Sequence, residues 1–409
     1  MLSQATARYV PGGGQAWRDP WPAYARLRDE SPVHRVVPER RPEDDFYVLS
    51  RHADVLAAAV DVETFSSSRG LSVAYDELDR LGLADSPPFV MTDPPEHTAL
   101  RRLVARGFTP RQVGELEPLI REFVRKRIAR ISKNGGGDVV AEVFKPLPSL
   151  VVAHYLGVPD EDRARFDEWS SAIVAANAEG GAAAALTATE AVGELMGYFD
   201  ALCARRRTEQ AAGLVGADTV SHLVAASSAG DGPDLLAVLG FVFTMTTGGN
   251  DTVTGLLGEA VQLLAADSDQ REDLVDWPKL IPGAVEEFLR MSSPVQGLAR
   301  TATRDVELHG VTIPAGRRVL LLYAAANRDW RRYGADAERL DIRRRPGQIL
   351  TFGQGHHHCL GSAAARLQAQ VALEELLMEI PDFTIDPDGV TWAPGPYVRR
   401  PLSVPLVVD

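Results

Sequence analysis

Residues Phe352 to Gly361 read FGQGHHHCLG, and the following SAAARLQAQVALEELLMEI has the apolar spacing of a long helix. Cys359 stands just before that helix, where partial positive charge and free N–H groups stabilise a thiolate. Gly353 and Gly355 let the backbone turn tightly and approach a flat ligand. A cysteine thiolate donates electron density to haem iron and favours oxygen–oxygen cleavage, whereas histidine ligation suits oxygen carriers and peroxidases. The competing reading is a buried free cysteine in a glycine-rich turn, which is the reading adopted for Cys203 in LCARRR. His356, His357 and His358 also read as a metal-binding tract, although adjacent side chains on one turn converge poorly on a single ion.

A second constellation interrupts the apolar run that starts at Leu235. Gly248-Gly249-Asn250-Asp251-Thr252 puts two glycines, an acid and a hydroxyl where a purely structural helix would carry none. Each glycine costs about 1 kcal/mol against alanine, and an acid in a buried helix needs a partner or a task. Oxygen heterolysis needs two protons, and an acid beside a hydroxyl can deliver them where bulk water is excluded. A local widening of the helix is expected here, with room for dioxygen and water. A kink with a capping threonine is the equally weighted alternative when the segment is read alone.

Two further groupings carry charge. Glu287 and Arg290 in VEEFLR lie three apart on one helix face, a spacing suited to a buried ion pair. Glu77 with Arg80 and Glu122 with Arg125 fit the same spacing, so only chain position, between the oxygen-activation segment and the cysteine loop, favours Glu287. In MTDPPEHTALRRLVARGFTPR, His97 and Arg101 are four apart, and without an anionic ligand a solvated basic face is the default reading for Arg101 and Arg102.

The elements that must position these residues are mostly helical. DPWPAYARLRDESP reads as a short helix, VHRVV and FYVLS as strands, and ADVLAAAVD, HTALRRLVARGF, VGELEPLIREFVRKRIARI, LPSLVVAHYLG and the alanine-rich Ala172 to Leu202 as amphipathic helices. VELHGVTIPAGRRVLLLYAAA and the segment from Phe383 add small strand clusters. The expected fold is mainly α with small peripheral β-sheets, as one domain over residues 1–409. The 409 residues are 45% hydrophobic and 24% charged, with net charge −13, which favours solubility and argues against a nucleic-acid binder. The glycine-rich stretches Asn134 to Gly137 and Ala229 to Gly232 are too short to act as linkers. Two distant cysteines leave no disulfide framework, the N-terminus has no signal-peptide pattern, and the apolar run from Leu235 breaks too early to span a membrane. A cytoplasmic protein without membrane or nucleic-acid partners is expected.

The cysteine segment matches F-G-x-G-x-H-x-C-x-G, and on it the chain resembles the cytochromes P-450 along nearly its whole length. That resemblance implies the P-450 fold, haem b, Cys359 as axial ligand, His357 on a haem propionate, Phe352 packed near the thiolate, and Gly353, Gly361 and Gly248 against the cofactor. It implies that His97, Arg101 and Arg300 face the propionates through charge-assisted bonds, that Asp251 relays protons, and that Thr252 holds the reacting oxygen and its water. Glu287, Arg290 and Arg344 become a structural triad. The implied substrate pocket draws on Leu71 to Val90, Ser171 to Leu186, Thr244, Gly248, Val295, Gln296, Leu298 and Tyr397, which suits a small hydrophobic substrate, aromatic ones included. The implied activity is insertion of one atom of dioxygen by hydroxylation or oxidative dealkylation, with electrons from ferredoxin and its reductase, or flavodoxin. Arg101, Arg102 and Arg343 to Arg345 form the expected docking patch. GGNDTVTGLLG and SPVQGLARTATRD resemble an actinobacterial subgroup. DWRRYGADAERLD departs from the family in lacking a proline after its aspartate, which leaves local packing open. A peroxide-driven peroxygenase and a non-catalytic haem sensor remain the alternatives; a non-haem hydrolase lacks its motifs.

Overall fold

A computed structural model of the chain describes residues 7–81, 84–85, 87–179, 182–214, 216–228 and 235–408. Helix dominates, with small sheets at one side. The helix Leu235–Ala266 runs through the centre, and Val253, Leu256, Leu257, Ala260, Val261 and Leu264 form one buried stripe along it at helical spacing. That stripe packs with Phe288 and Leu289 of the helix Ile281–Ser292, with Leu373 and Leu376 of the helix Ser362–Glu379, and with Ile120, Val124 and Ile128 of the helix Glu117–Lys133. Each such side chain contributes roughly 1.5–3 kcal/mol on burial, so the cysteine helix and the central helix are fixed to each other by shared core.

The opposite face of the central helix is shaped by small residues. A Cβ on Gly255 would stand 2.8 Å from the Arg399 carbonyl oxygen, and one on Gly258 would stand 2.4 Å from Cγ of Pro401. Residues 399–401 therefore lie directly against the helix. Gly249 serves similarly against Val152 of the helix Pro146–Leu156. The expected widening at Gly248 to Thr252 is absent: the segment is continuous α-helix. The Thr252 hydroxyl donates to the Gly248 carbonyl at 3.2 Å, the ordinary back-bond of a helical threonine.

The larger sheet has five strands in the order Val33–Val36, Phe46–Leu49, Arg318–Leu321, Leu298–Ala302, Phe65–Ser66. All neighbours are antiparallel except Phe46–Leu49 with Arg318–Leu321, which run parallel. Alternation sends Tyr47, Leu49, Val319 and Leu321 to a core with the helix His52–Val60, and Phe46, Val48 and Leu320 to one with Tyr24 and Leu27 of the helix Trp21–Glu30. The alanine-rich stretch falls into two helices, Arg163–Glu179 and Ala182–Ala211, with part of it outside the described residues, as is Ala229 to Gly232. Cys203 is fully buried among apolar side chains. In DWRRYGADAERLD, Asp329 caps the short helix Trp330–Tyr333, and Tyr333 lies under the Arg290 guanidinium at 5.1 Å, so the segment packs without proline.

Candidate active site

The cysteine loop is built on its own backbone. The Cys359 amide donates to the Phe352 carbonyl at 2.8 Å, and Gly353 and Gly355 take φ of 64° and 71°, the left-handed region that glycine enters without strain. A Cβ on Gly355 would also press to 3.1 Å from the Ala59 carbonyl oxygen. Gly361 caps the helix Ser362–Glu379 without a side-chain acceptor. Cys359 is exposed, although much of the protein surrounds its sulfur. Burial pushes its thiol up from the ordinary value, opposed by the Gly361 N–H, Arg101 and Arg366. Stabilisation of the thiolate at the helix terminus is thus present but outweighed by desolvation; a metal held at this sulfur would supply the charge that favours the thiolate. The Phe352 ring lies beneath the Arg366 guanidinium at 4.6 Å, and Arg366 pairs with Glu286. Arg366 is not singled out by the motif, although it lies in the first turns of the helix that follows the cysteine loop.

Beside the loop, four nitrogen-bearing side chains converge. His97 and Arg101 come from the helix Glu96–Val104, Arg300 from the strand Leu298–Ala302 and His357 from the cysteine loop. The His97 ring is 4.2 Å from that of His357 and stacks on Phe89 at 5.8 Å. Arg101 donates to the His358 carbonyl, Arg300 to the Ala299 carbonyl, and the Ser67 hydroxyl shares a 3.1 Å hydrogen bond with Nε2 of His357. Among the described residues no carboxylate lies within ion-pair distance of Arg101 or Arg300. Burial, then Arg101 and His356, lowers His97 to about 4; burial, then Arg300 and His97, lowers His357 to about 3. Both ring nitrogens of His97 are buried without a partner. Two arginines, the orphaned imidazole of His97 and the neighbouring imidazole of His357 are the surroundings a dianionic carboxylate edge requires, so the residues present fit a haem. Among the described residues no cluster suits a bare metal ion, including the triple histidine.

On the central helix, Gly248 faces open space. Asp251 forms a 2.8 Å ion pair with Arg400, and its carboxyl is pushed up by burial and held back by Arg400 and Lys145. Arg400 is distant in sequence, and no spacing rule could have paired it with Asp251. Thr244 donates its hydroxyl to the Gly240 carbonyl and Thr247 to that of Phe243, as Thr252 does to Gly248. Val295 and Leu298 are half-buried, and Tyr397 accepts from the Val73 amide. Gln296 departs from the expectation of a pocket residue. It is 2% exposed, accepts from the Tyr24 hydroxyl and donates to the Ser293 carbonyl, so its amide is turned to the N-terminal helix. Residues 82, 83 and 86 of the Leu71 to Val90 stretch, and 180–181 of the Ser171 to Leu186 stretch, lie outside the described residues.

Glu287 and Arg290 are both fully buried, bridged by two 2.7 Å bonds. Arg290 also donates to the carbonyls of Asn327 and Ala337, and Arg344 reaches Glu287 at 3.1 Å while pairing with Asp336. Glu122 pairs instead with Lys126, and Arg125 with Glu375. The expected docking patch is reduced, because Arg344 is committed inward, Arg343 pairs with Asp273 and Arg101 is turned to the cysteine loop; Arg102 and Arg345 stay exposed.

Comparison with known proteins places this geometry. The Cytochrome P450 family model matches residues 256–389. The chain is 59% identical to "Cytochrome P450 130" of Mycobacterium tuberculosis over 100% of both chains, and 37% identical to "Vitamin D(3) 25-hydroxylase" of Pseudonocardia autotrophica over 100% of this chain and 98% of that one. The solved structure of cytochrome P450 CYP109Q5 from Chondromyces apiculatus superposes with a TM-score of 0.83 at 33% identity, covering 97% of this chain and 96% of that one. Full-length identity at this level, over the fold and the cysteine loop described above, establishes that the chain belongs to the cytochrome P450 family and is a P450 monooxygenase whose cofactor is haem b.

Proposed function

We propose that this monooxygenase inserts one atom of dioxygen into a bulky, hydrophobic organic substrate, by hydroxylation or oxidative dealkylation, using electrons from a separate ferredoxin and ferredoxin reductase, or a flavodoxin. The observation that carries the substrate class is the polar economy of the central helix. The hydroxyls of Thr244, Thr247 and Thr252 are turned back to carbonyls of their own helix, and Asp251 is paired with Arg400. Such a wall offers methyl and methylene groups, and apolar contact is what it can reward. The relative named "Vitamin D(3) 25-hydroxylase" supports the same size and polarity.

In this reading Cys359 would hold the haem iron through its thiolate, and the haem so held would supply the chemistry that cleaves the oxygen–oxygen bond. His97, His357, Arg101 and Arg300 hold the propionate edge. Gly361 donates its N–H toward the thiolate sulfur and tempers its charge. Asp251 holds the proton to be delivered, and its raised carboxyl keeps that proton available closer to neutral pH. Thr252 must exchange its Gly248 partner for the reacting oxygen or its water, so the hydroxyl moves by rotation about one bond. Arg102 and Arg345 are the exposed cations for an acidic carrier. No helix among the described residues is long and apolar enough to cross a membrane; the reading places the enzyme in a reducing cytoplasm, with the chain acting as one catalytic domain.

The test is reconstitution. Purified holoenzyme, reduced under carbon monoxide, should give the strongly red-shifted Soret band of thiolate ligation. With ferredoxin, reductase and a panel of large apolar compounds, dioxygen label should enter the product. Turnover with peroxide but none with any reductase pair would replace this reading by a peroxygenase, and haem binding without dioxygen consumption would replace it by a sensor.

A further inference from the structure

The loop that runs from Ser67 to Tyr75 leaves the haem-edge cluster at Ser67 and ends against Asp45, whose carbonyl accepts from the Tyr75 hydroxyl at 2.7 Å. Along the way its Leu71 carbonyl accepts from the Ala299 amide at 2.7 Å, one residue from Arg300, and its Val73 amide donates to Tyr397. It therefore passes beside Leu298 and Tyr397, two residues of the candidate pocket. Short polar loops of this kind have no core of their own and need outside partners to hold one position.

Arg318 supplies them. It sits on the strand Arg318–Leu321, opposite Thr301, and is 1% exposed. Among the described residues it has no carboxylate at ion-pair distance. Its Nη2 donates to the carbonyls of Arg69 and Ala74, and its Nη1 to the Gly70 carbonyl at 3.3 Å and the Thr301 hydroxyl at 3.1 Å. Three of its four acceptors are thus carbonyls of one loop. On the other side of that loop, Glu77 accepts from the Ser72 amide at 2.8 Å, and a Cβ on Gly70, whose φ is +105°, would collide with the Glu77 carboxylate. The loop is held between a buried cation and an acid. A buried charge without an ion partner is costly, and a planar fork satisfied by carbonyls is one of few ways to keep it.

We propose that Arg318 is a specificity-determining positioning residue: by fixing the Arg69–Ala74 backbone it sets the width of the substrate cleft beside Leu298 and Tyr397, without itself touching substrate or haem. The proposal rests on the reading of that cleft as an apolar substrate pocket. A guanidinium that gathers three carbonyls leaves the loop one conformation. A lysine ammonium is a single point donor on a shorter reach and cannot gather them all.

The test uses holoenzyme titrated optically with two iron-ligating probes, imidazole, which needs no pocket wall, and 4-phenylimidazole, whose ring must fit the cleft. In the wild type, 4-phenylimidazole should bind at least about tenfold more tightly than imidazole. If it does not, the apolar-pocket reading itself fails. Given that preference, Arg318→Met should shift the 4-phenylimidazole Kd by about tenfold and leave imidazole within about twofold, with Arg318→Lys between Met and wild type. If Arg318→Met yields no holoenzyme, Arg318→Lys decides, its carbon-monoxide band certifying an intact haem site. Unchanged binding of both probes would overturn the proposal, and so would equal changes in both, which would place the effect at the iron.

Discussion

Two buried clusters of charge, both close to the haem site, are built on opposite terms. Around Glu287, the acid, Arg290 and Arg344 satisfy one another and nearby carbonyls, and no ligand is needed to complete them. Around His97, two arginines and two imidazoles converge, no carboxylate among the described residues stands at ion-pair distance from either arginine, the nearby Asp93 is bonded to Ser66 and Ser67, and both His97 nitrogens go unpaired. The first cluster completes itself when the chain folds. The second is completed only by a carboxylate-bearing ligand. Charge complementarity within a cluster thus separates what holds the fold from what waits for the cofactor, a distinction that residue type and spacing do not make.

The largest effect should come from breaking the self-completed cluster. Glu287→Gln leaves the fully buried Arg290 without its acid, a loss of roughly 3–5 kcal/mol, so we expect little or no folded holoenzyme, read by circular dichroism and haem content. Next, His97→Ala or Arg300→Ala should leave the haem-free protein as stable as before, or slightly more, while haem loss to an acceptor protein speeds up by roughly tenfold or more, since a bond to a charged group contributes about 1.5–3 kcal/mol. If both variants unfold the apoprotein instead, the distinction between the clusters collapses.

Smaller effects follow from protonation. His97 is lowered from 6.5 to about 4, so folding favours its neutral form, and the associated stability is present above 6.5 and drains away as pH falls toward 4. Denaturation of haem-free protein across that range should show the loss; with haem bound, the propionates favour the imidazolium and the profile should flatten. Smallest of all is Arg400→Gln. Arg400 lowers the Asp251 carboxyl against burial, so its removal should raise that carboxyl further, moving the alkaline limb of the turnover profile to higher pH and changing the solvent isotope effect by no more than about twofold.

The cysteine loop was legible in the sequence because its determinants are local: two glycines with positive φ, the cysteine and a following helix lie within a dozen residues. The helix periods and the mostly α architecture were legible for the same reason, since amphipathic stripes repeat within each segment. The regular helix at Gly248 to Thr252 was not foreseen, because a glycine pair signals permission to distort and the threonine back-bond that keeps the helix regular is invisible in the pattern. Gln296 was assigned to the pocket by the resemblance, along with Val295 and Leu298, yet its bonds with the Tyr24 hydroxyl and the Ser293 carbonyl turn it the other way. The resemblance already tied Arg344 to Glu287, while Arg343 to Arg345 also read as surface cations in a row, and only the fold brings Asp273 to Arg343 and Asp336 to Arg344. Arg318 carried no sequence signal at all, since three of its four acceptors are backbone carbonyls of a distant loop.

Gly255 and Gly258 bear on the order in which the site comes together. Their missing side chains let residues 399–401 lie on the central helix, which is what brings Arg400 to Asp251. Contacts between such distant stretches require closure of a very long loop and form late on a folding route, after the local helices and hairpins. A folding intermediate should therefore contain the central helix with its acid still facing water, and larger side chains at either glycine would slow its final docking. Pulsed hydrogen exchange would record this as protection of residues 256–264 that precedes protection of the Arg399 amide, which donates to the Pro294 carbonyl.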